Sequence, residues 1–351
     1  MNGVLSQKMT ENIKLVDEIL DNPVKIDLHD RKILYELMID GRKPLSSVAK
    51  AVRLSEQVVN YRIKNLIKRG IITKFLTILE ISQLKMGVYR ALFRLEKTDS
   101  QKEKEIIKHF VENPYVFWVV RVGGRWDLLV DFTTRDIGHL YEVLQKSINK
   151  FPENLTNKEV IAFVDSWHFR RNYLVPGKRD ERRIVYFGGI PKHTEVDKID
   201  LQILKIITEE ARLSNIEIGK KLNLAPNTVK NRIKALEKKK IIQGYSPFVH
   251  PTVFGCPCYK VLLTVRNTSE EKERKILSFG QYHSNIIFIE KVVGKWDYEY
   301  DIECNNEKEF RQLMREMKDK LADVVTDYET ITFYYDYKSN YFPWDLTEFE
   351  D

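Results

Sequence analysis

Cysteine is scarce in this chain: three among 351 residues, at Cys256, Cys258 and Cys304. So small and odd a number excludes a disulfide framework and points to a reducing compartment, so a cytoplasmic location is expected. Cys256-Pro257-Cys258 lacks a second Cys or His pair at zinc-finger spacing and reads as the start of a strand rather than a metal site. No run approaches the ~18 apolar residues of a membrane span, and Met1–Thr10 lacks a basic-then-apolar leader pattern. Phosphate loops, His-Glu-x-x-His and a Ser-His-Asp order are missing, and the seven histidines are scattered. No catalytic group, cofactor or metal is therefore expected. What is present is apolar material, 43% hydrophobic and 11% aromatic, over a length suited to two to four domains of ~100–200 residues. The net charge of +7 suits a polyanionic partner, but its placement is more informative than its total.

The charge is placed by a repeat. Arg62-Ile63-Lys64 returns as Arg232-Ile233-Lys234 and Trp126-Asp127 as Trp296-Asp297, both at an offset of 170. Laid on one another without gaps, residues 27–72 and 197–242 agree at 15 of 46 positions, against about one in fifteen by chance.

Each copy opens with three helical patterns. In the second, Asp197 caps a helix carrying Ile199, Ile203, Leu204 and Ile207. Ser214 and Glu217 form a capping box ahead of Ile218 and Leu222. Val229, Ile233 and Leu236 then line one face of a third helix from about Pro226 to Lys239. The first copy matches through Asp27, Ile33, Leu34, Leu37, Val48, Val52, Val59, Ile63 and Leu66. Ile71-Ile72 and Ile241-Ile242 start a strand, read as the first strand of a hairpin wing. The remainder of each copy reads strand, helix, strand, glycine turn, strand, helix, strand. This βαββαβ order is ferredoxin-like, so the expected class is α+β. The expected divisions are an amphipathic extension over 1–24 (Met9, Ile13, Val16, Leu20), a winged helix-turn-helix over 25–78 and an α+β sensing domain over 79–174. A linker over 175–195 holds Pro176-Gly177 and a charge cluster at 178–183. A second winged helix-turn-helix follows over 196–247, a second sensing domain over 248–343 and an acidic tail over 344–351.

Three short helices and a wing are the parts that place a third helix in the major groove of DNA, which is ~12 Å wide. The outer faces of the third helices offer Gln57, Asn60, Tyr61 and Lys64, and Asn227, Thr228, Lys230, Asn231 and Lys234. Asn and Gln present a donor beside an acceptor, the pairing that reads adenine edges, and the lysines suit phosphates. Between Lys230 and Lys240, six basic residues face one acid, Glu237. Arg62 and Arg232 sit beside core positions and serve either a phosphate or a flank brace.

At these residues the chain resembles the Lrp/AsnC (feast/famine) transcription regulators. The first copy carries Asp30, Ile33-Leu34, Val48-Ala49, Val59, Arg62-Ile63, Leu66 and Gly70-Ile71-Ile72. The second carries Asp200, Ile203-Leu204, Ala211-Arg212, Ile218-Gly219, Val229, Arg232-Ile233, Leu236 and Ile241-Ile242, with Lys240 in the place of Gly70. Gly124-Arg125-Trp126-Asp127 and Gly294-Lys295-Trp296-Asp297 resemble the family's Gly-x-x-Asp turn. The resemblance implies a transcription regulator that binds double-stranded DNA. It also implies an amino acid or similar small metabolite as effector, with Gly124, Asp127, Gly294 and Asp297 bordering its pocket. Positive φ at both glycines would admit the ligand to backbone amides. Family members carry one unit and assemble as dimers or higher; this chain duplicates the whole helix-turn-helix plus sensing (RAM-type) unit. An intrachain pseudo-dimer is expected, open to further homo-oligomerisation, with Phe93, Phe117, Leu129, Val261, Phe288 and Tyr300 covering one sheet with the other.

A second class shares the architecture. Siroheme decarboxylases place His, Tyr and Arg along the second strand of the sensing domain to hold tetrapyrrole carboxylates. Here those strands read Tyr115–Arg121 and Ile286–Lys291 and contain no histidine; Arg121 alone matches poorly.

Overall fold

The structure is a computed structural model describing residues 22–177, 185–189, 191–192, 194–266 and 269–349. The amphipathic pattern of Met9 to Leu20 and the 178–183 charge cluster lie outside them. Elements are numbered along the chain. The first head comprises α1 (Leu28–Ile39), α2 (Leu45–Val52) and α3 (Glu56–Lys68); the second comprises α6 (Lys198–Glu209), α7 (Asn215–Leu222) and α8 (Pro226–Lys238). The caps form as the sequence dictates. The Asp30 amide donates to Asp27 and the Asp200 amide to Asp197, and Ser214 and Glu217 close a reciprocal capping box. Pro226 stands at the start of α8, where a missing amide costs no hydrogen bond. Val59, Ile63 and Leu66, and Val229, Ile233 and Leu236, are buried as their spacing requires.

The wing differs from expectation. Strand β1 (Ile72–Leu79) forms no local hairpin; it pairs antiparallel with β7 (Ile242–Val249) of the other copy, from Ile72 opposite Val249 to Leu79 opposite Ile242. After β1 a 3-10 turn, Ile81–Gln83, leads directly towards the next sheet strand. No neighbouring segment can satisfy the β1 edge, and the equivalent strand does so instead. The ribbon also ties the heads together. The Gly41 amide donates to the Tyr245 carbonyl (2.8 Å) and the Ala211 amide to the Phe75 carbonyl (3.1 Å). Lys240 adopts φ 58, close to the 72 of Gly70, so the two turns share one left-handed conformation despite the different residue.

The sensing domains are β2 (Gly87–Arg94), α4 (Ser100–Glu112), β3 (Val116–Gly123), β4 (Leu128–Thr134), α5 (Ile137–Lys150) and β5 (Asn157–His168), then β8 (Cys258–Val265), α9 (Glu270–Tyr282), β9 (Ile286–Val293), β10 (Tyr298–Glu303), α10 (Glu307–Leu321) and β11 (Val325–Ser339). Each sheet has the split-βαβ order, β5-β2-β4-β3 and β11-β8-β10-β9. Their edges join: β3 pairs with β11 and β5 with β9, both antiparallel, so eight strands close on themselves. A short strand from the linker, β6 (Val185–Phe187), adds to β5. Closure leaves no bare edge among these eight strands.

At most of the predicted covering positions the structure places the opposite face inward, one residue out of step with the expected alternation. Phe93 packs with Ile106 and Phe110 beneath the first pair of helices, and Val261 and Tyr300 pack with Ile276 and Leu313 beneath the second. Phe117 and Phe288 lie near the barrel mouth against the head-and-ribbon core. Of the six, only Leu129 reaches the cluster shared by the two sheets, where it meets Leu92, Val120, Leu262, Val292 and Ile331. A period of two makes a one-residue offset exchange faces. The two faces were hard to tell apart because both are apolar. The terminal segment also differs: Phe342 and Trp344 are fully buried, and the Trp344 indole donates to the Thr133 carbonyl (3.1 Å), so the acidic stretch is anchored by an aromatic plug.

Candidate nucleic-acid interface and barrel cavity

On the third helices the structure leaves Gln57, Tyr61 and Lys64 exposed and Asn60 half-buried; Asn227, Thr228, Lys230, Asn231 and Lys234 are all exposed. Tyr61 is 70% exposed. Arg62 and Arg232 are placed otherwise. The Arg62 guanidinium donates to Asp27 (2.8 Å) and Asp30 (2.7 Å), and Arg232 donates to Asp197 (2.7 Å) and Asp200 (2.8 Å). Each arginine thus braces the third helix to the capped start of the first. Burial works against the charge of Asp27 and Asp197, yet the capping amides and the arginines outweigh it and hold both carboxyls below their ordinary range. The brace accounts for three of the positions at which the copies agree, Asp27, Asp30 and Arg62 with their counterparts.

At the Gly-x-x-Asp turns, Asp127 accepts from the Leu95 amide and Asp297 from the Val265 amide, each at 2.8 Å. One oxygen of each carboxylate is thereby committed to the adjoining strand end. Gly124 has φ +111, a conformation that favours glycine, but Gly294 does not. A side chain at Gly294 would strike Ile161 at 2.5 Å, so close packing, not backbone freedom, requires glycine there. The tryptophans inside these motifs, Trp126 and Trp296, are buried plugs of the barrel interior.

A constellation missed in the sequence occupies the same interior. Arg90 makes a two-pronged pair with Asp131 (2.6 and 2.7 Å) and also meets Glu299. Lys260 meets Glu299 (2.8 Å), Glu290 (3.3 Å) and Asp301. All six residues are at most 8% exposed. Burial raises Glu290 well above the usual carboxylate range and raises Asp131 and Asp301, whereas Arg90 and Lys260 overcome burial at Glu299 and lower it. Beside the cluster, between the barrel mouth and the β1–β7 ribbon, lies a cavity of about 130 Å³. His168 lines it, stacked on Phe288 at 4.2 Å, and burial and then Arg171 depress its imidazole to about 3, so it is neutral. Arg171 itself is forked onto Glu303 at 2.6 and 2.7 Å. The sequence signal was available as charged residues inside apolar strands, in Tyr89-Arg90-Ala91 and Tyr259-Lys260-Val261.

Two helix-turn-helix heads on a shared ribbon, joined to two ferredoxin-like sheets, define a class of winged helix-turn-helix proteins with an α+β partner domain. Comparison with known proteins gives the class its family. The sequence profile of the winged helix-turn-helix DNA-binding family matches residues 26–73 and 196–243. The HTH-type transcriptional regulator FL11 of Pyrococcus horikoshii is 30% identical over 121 residues, covering 34% of this chain and 79% of FL11. An uncharacterised HTH-type transcriptional regulator of the same organism is 31% identical over 109 residues, 31% of this chain and 73% of that relative. The chain belongs to the Lrp/AsnC family of HTH-type transcriptional regulators, with the family unit present twice. The siroheme decarboxylase NirDL, a solved structure, has the same fold over almost the whole length: TM-score 0.59, 14% identity, 92% of this chain and 96% of that one.

Proposed function

We propose that the protein is a sequence-specific regulator of transcription that grips duplex DNA with both third helices. The observation that carries this reading is the division of labour on each helix. The arginine beside the core is consumed by the brace, while the neighbouring Gln57, Lys64, Asn227, Lys230, Asn231 and Lys234 stay exposed. Side chains held out on a braced helix suit base edges and phosphates. Fluorescence anisotropy with genomic fragments, including the protein's own promoter, tests it at low salt, and absence of binding to every fragment would overturn it. The amino-acid effector at the Gly124–Asp127 and Gly294–Asp297 turns is retained as part of the proposal. Each Asp keeps one oxygen outside its backbone bond, enough for a single ammonium contact. Titration of the twenty amino acids against tryptophan emission and thermal stability checks it; silence at millimolar concentration would leave the turns structural.

The fold shared with NirDL raises tetrapyrrole decarboxylation as a second reading. Two observations weigh against it. Into the cavity the second strands send Phe117, Trp118, Phe288 and Glu290, none of which neutralises a substrate carboxylate, and the two arginines that line it, Arg90 and Arg171, are already paired with Asp131 and Glu303. An absorbance titration with siroheme separates the two readings.

A further inference from the structure

The barrel cavity is walled by opposites. Aromatic rings form one part: Trp118 and Phe333 meet edge to face at 5.6 Å, and Phe288 carries the stacked His168. Carboxylates dominate the rest. Within the cavity lining and the cluster directly behind it, three cations (Arg90, Arg171 and Lys260) face six carboxylates (Asp131, Glu290, Glu299, Asp301, Glu303 and Asp336). Arg90 and Asp131 satisfy one another, as do Arg171 and Glu303. Lys260 is then shared among Glu290, Asp301 and Glu299, which Arg90 also meets, and Asp336 has an indole donor, Trp118 Nε1 at 2.7 Å, and the His250 imidazole at 3.5 Å. The interior is therefore short of positive charge.

Two buried polar atoms point the same way. Ser166 is fully buried with no hydrogen-bond partner for its hydroxyl, and it stands opposite Glu290 in the β5–β9 ladder, on the interior face. His168 Nδ1, two residues on and on the same face, is likewise unpartnered. Unsatisfied buried polar groups cost about 1–3 kcal/mol each and call for an occupant.

We propose that this cavity binds a small organic cation, a primary amine on a compact aromatic or apolar body, with the ammonium directed to Glu290 and Asp301 and the body against the aromatic wall. Size sets the body: a cavity near 150 Å³ accommodates benzene, and this one is about 130 Å³. Eight-stranded barrels have room for one small ligand. Aromatic faces stabilise an organic cation. No group of three or more His, Cys, Asp or Glu residues among the described residues could hold a metal ion, so a bare inorganic cation has no cage here. The site is distinct from the Gly-x-x-Asp turns, and its roof is the β1–β7 ribbon, whose Ser246 and Phe248 line the cavity. An occupant would thus sit under the element that joins the two heads.

Burial raises Glu290 well above the usual carboxylate range, and an ammonium placed beside it favours the ionised form, so the carboxyl gives up its proton to solvent as the cation arrives. Binding should therefore be accompanied by proton release.

Calorimetry on the full chain without DNA, using benzylamine, benzyl alcohol and benzoate, tests the proposal. The three probes share a ring and differ in charge. Benzylamine is expected to bind with a dissociation constant on the order of 0.1–1 mM, as suits eight heavy atoms, to release a proton when two buffers of different ionisation enthalpy are compared, and to raise the melting temperature. Benzyl alcohol should bind at least tenfold more weakly, and benzoate not detectably. Glu290→Gln should weaken benzylamine at least tenfold; if that variant fails to fold, proton release by the parent protein carries the test. No heat from benzylamine at 10 mM, equal binding of all three probes, or binding without proton release would overturn the proposal. DNA takes no part in the experiment, so its outcome is independent of the DNA-binding reading.

Discussion

Arg62 and Arg232 were equally consistent, in sequence, with phosphate contact and with bracing; distances of 2.7–2.8 Å to two carboxylates each favour the brace. Replacing Arg232 with Ala should cost about 1 kcal/mol in urea unfolding, the scale of a partly exposed pair, and leave the salt dependence of DNA binding unchanged; a shallower slope would put its charge on phosphate. At Lys240 the left-handed backbone strains a residue with a Cβ. Lys240→Gly should stabilise by about 1 kcal/mol, read from the same urea curves. Glu80 predicts a pH dependence. Burial pushes it up to about 7, against the favourable effects of Ser82, Gly188 and Lys192. The folded state then holds this proton more tightly than the unfolded chain. The resulting stability is full below about 4.5 and is lost as pH rises to about 7. Glu80→Gln should abolish that loss, so the variant gains on the parent by up to ~3 kcal/mol between those limits, measured by denaturant melts across pH.

At the scale of elements, the third helices are alike in their buried stripe and unlike outside it. Helix α3 begins with Glu56 and Gln57, α8 with Pro226 and Asn227, and the lysines at 230 and 234 are exposed where α3 has Asn60 and Lys64. The heads should therefore read different half-sites and share the electrostatic load unequally. Lys230→Ala with Lys234→Ala should reduce the slope of log affinity against log salt by about 1.8, and Lys64→Ala by about 0.9, at ~0.9 per phosphate contact. Equal reductions would show that the two helices carry the same load. Helices and strands were legible here because each has a period that burial enforces. The ribbon was not, since the paired residues of β1 and β7 are 163 or more positions apart and their pairing leaves no local turn signature. Nor was the interior charged layer. Arg90 and Lys260 break the apolar pattern of their strands, but only the closure of the barrel brings them to the same carboxylate, Glu299.

At the scale of the whole molecule, the duplication is used to close a barrel within one chain. Cutting the chain in the 178–184 linker segment would bare both β3 and β5 in one half and both β9 and β11 in the other. Co-expressed halves should reassemble into a species of the parent's mass by light scattering, and either half alone should self-associate through its bare edges. Halves that stay apart would mean that these edge pairings do not hold the molecule together. The terminal plug joins the first sensing domain to the second head, with Trp344 in a cluster containing Leu204 and Ile207. Trp344→Ala should cost about 3–5 kcal/mol, the range for a buried large aromatic side chain, seen as a lower thermal midpoint.

The sequence by itself determined the duplication, the three-helix heads with their caps, the split-βαβ order and the exposed amide and lysine face of each third helix. These rest on local physics: capping atoms three residues apart, a 3.6-residue stripe, a two-residue alternation. Tertiary structure alone decided where edges and charges meet: which strand completes β1, which face of each sheet turns inward, how Asp27 and Arg62 come within 2.8 Å across 35 residues, and how charged groups from both copies gather beside one cavity. A backbone edge accepts any strand and a carboxylate any cation within reach, so the sequence limits the candidates, and the choice among them falls to the closed arrangement that satisfies the most buried groups at once.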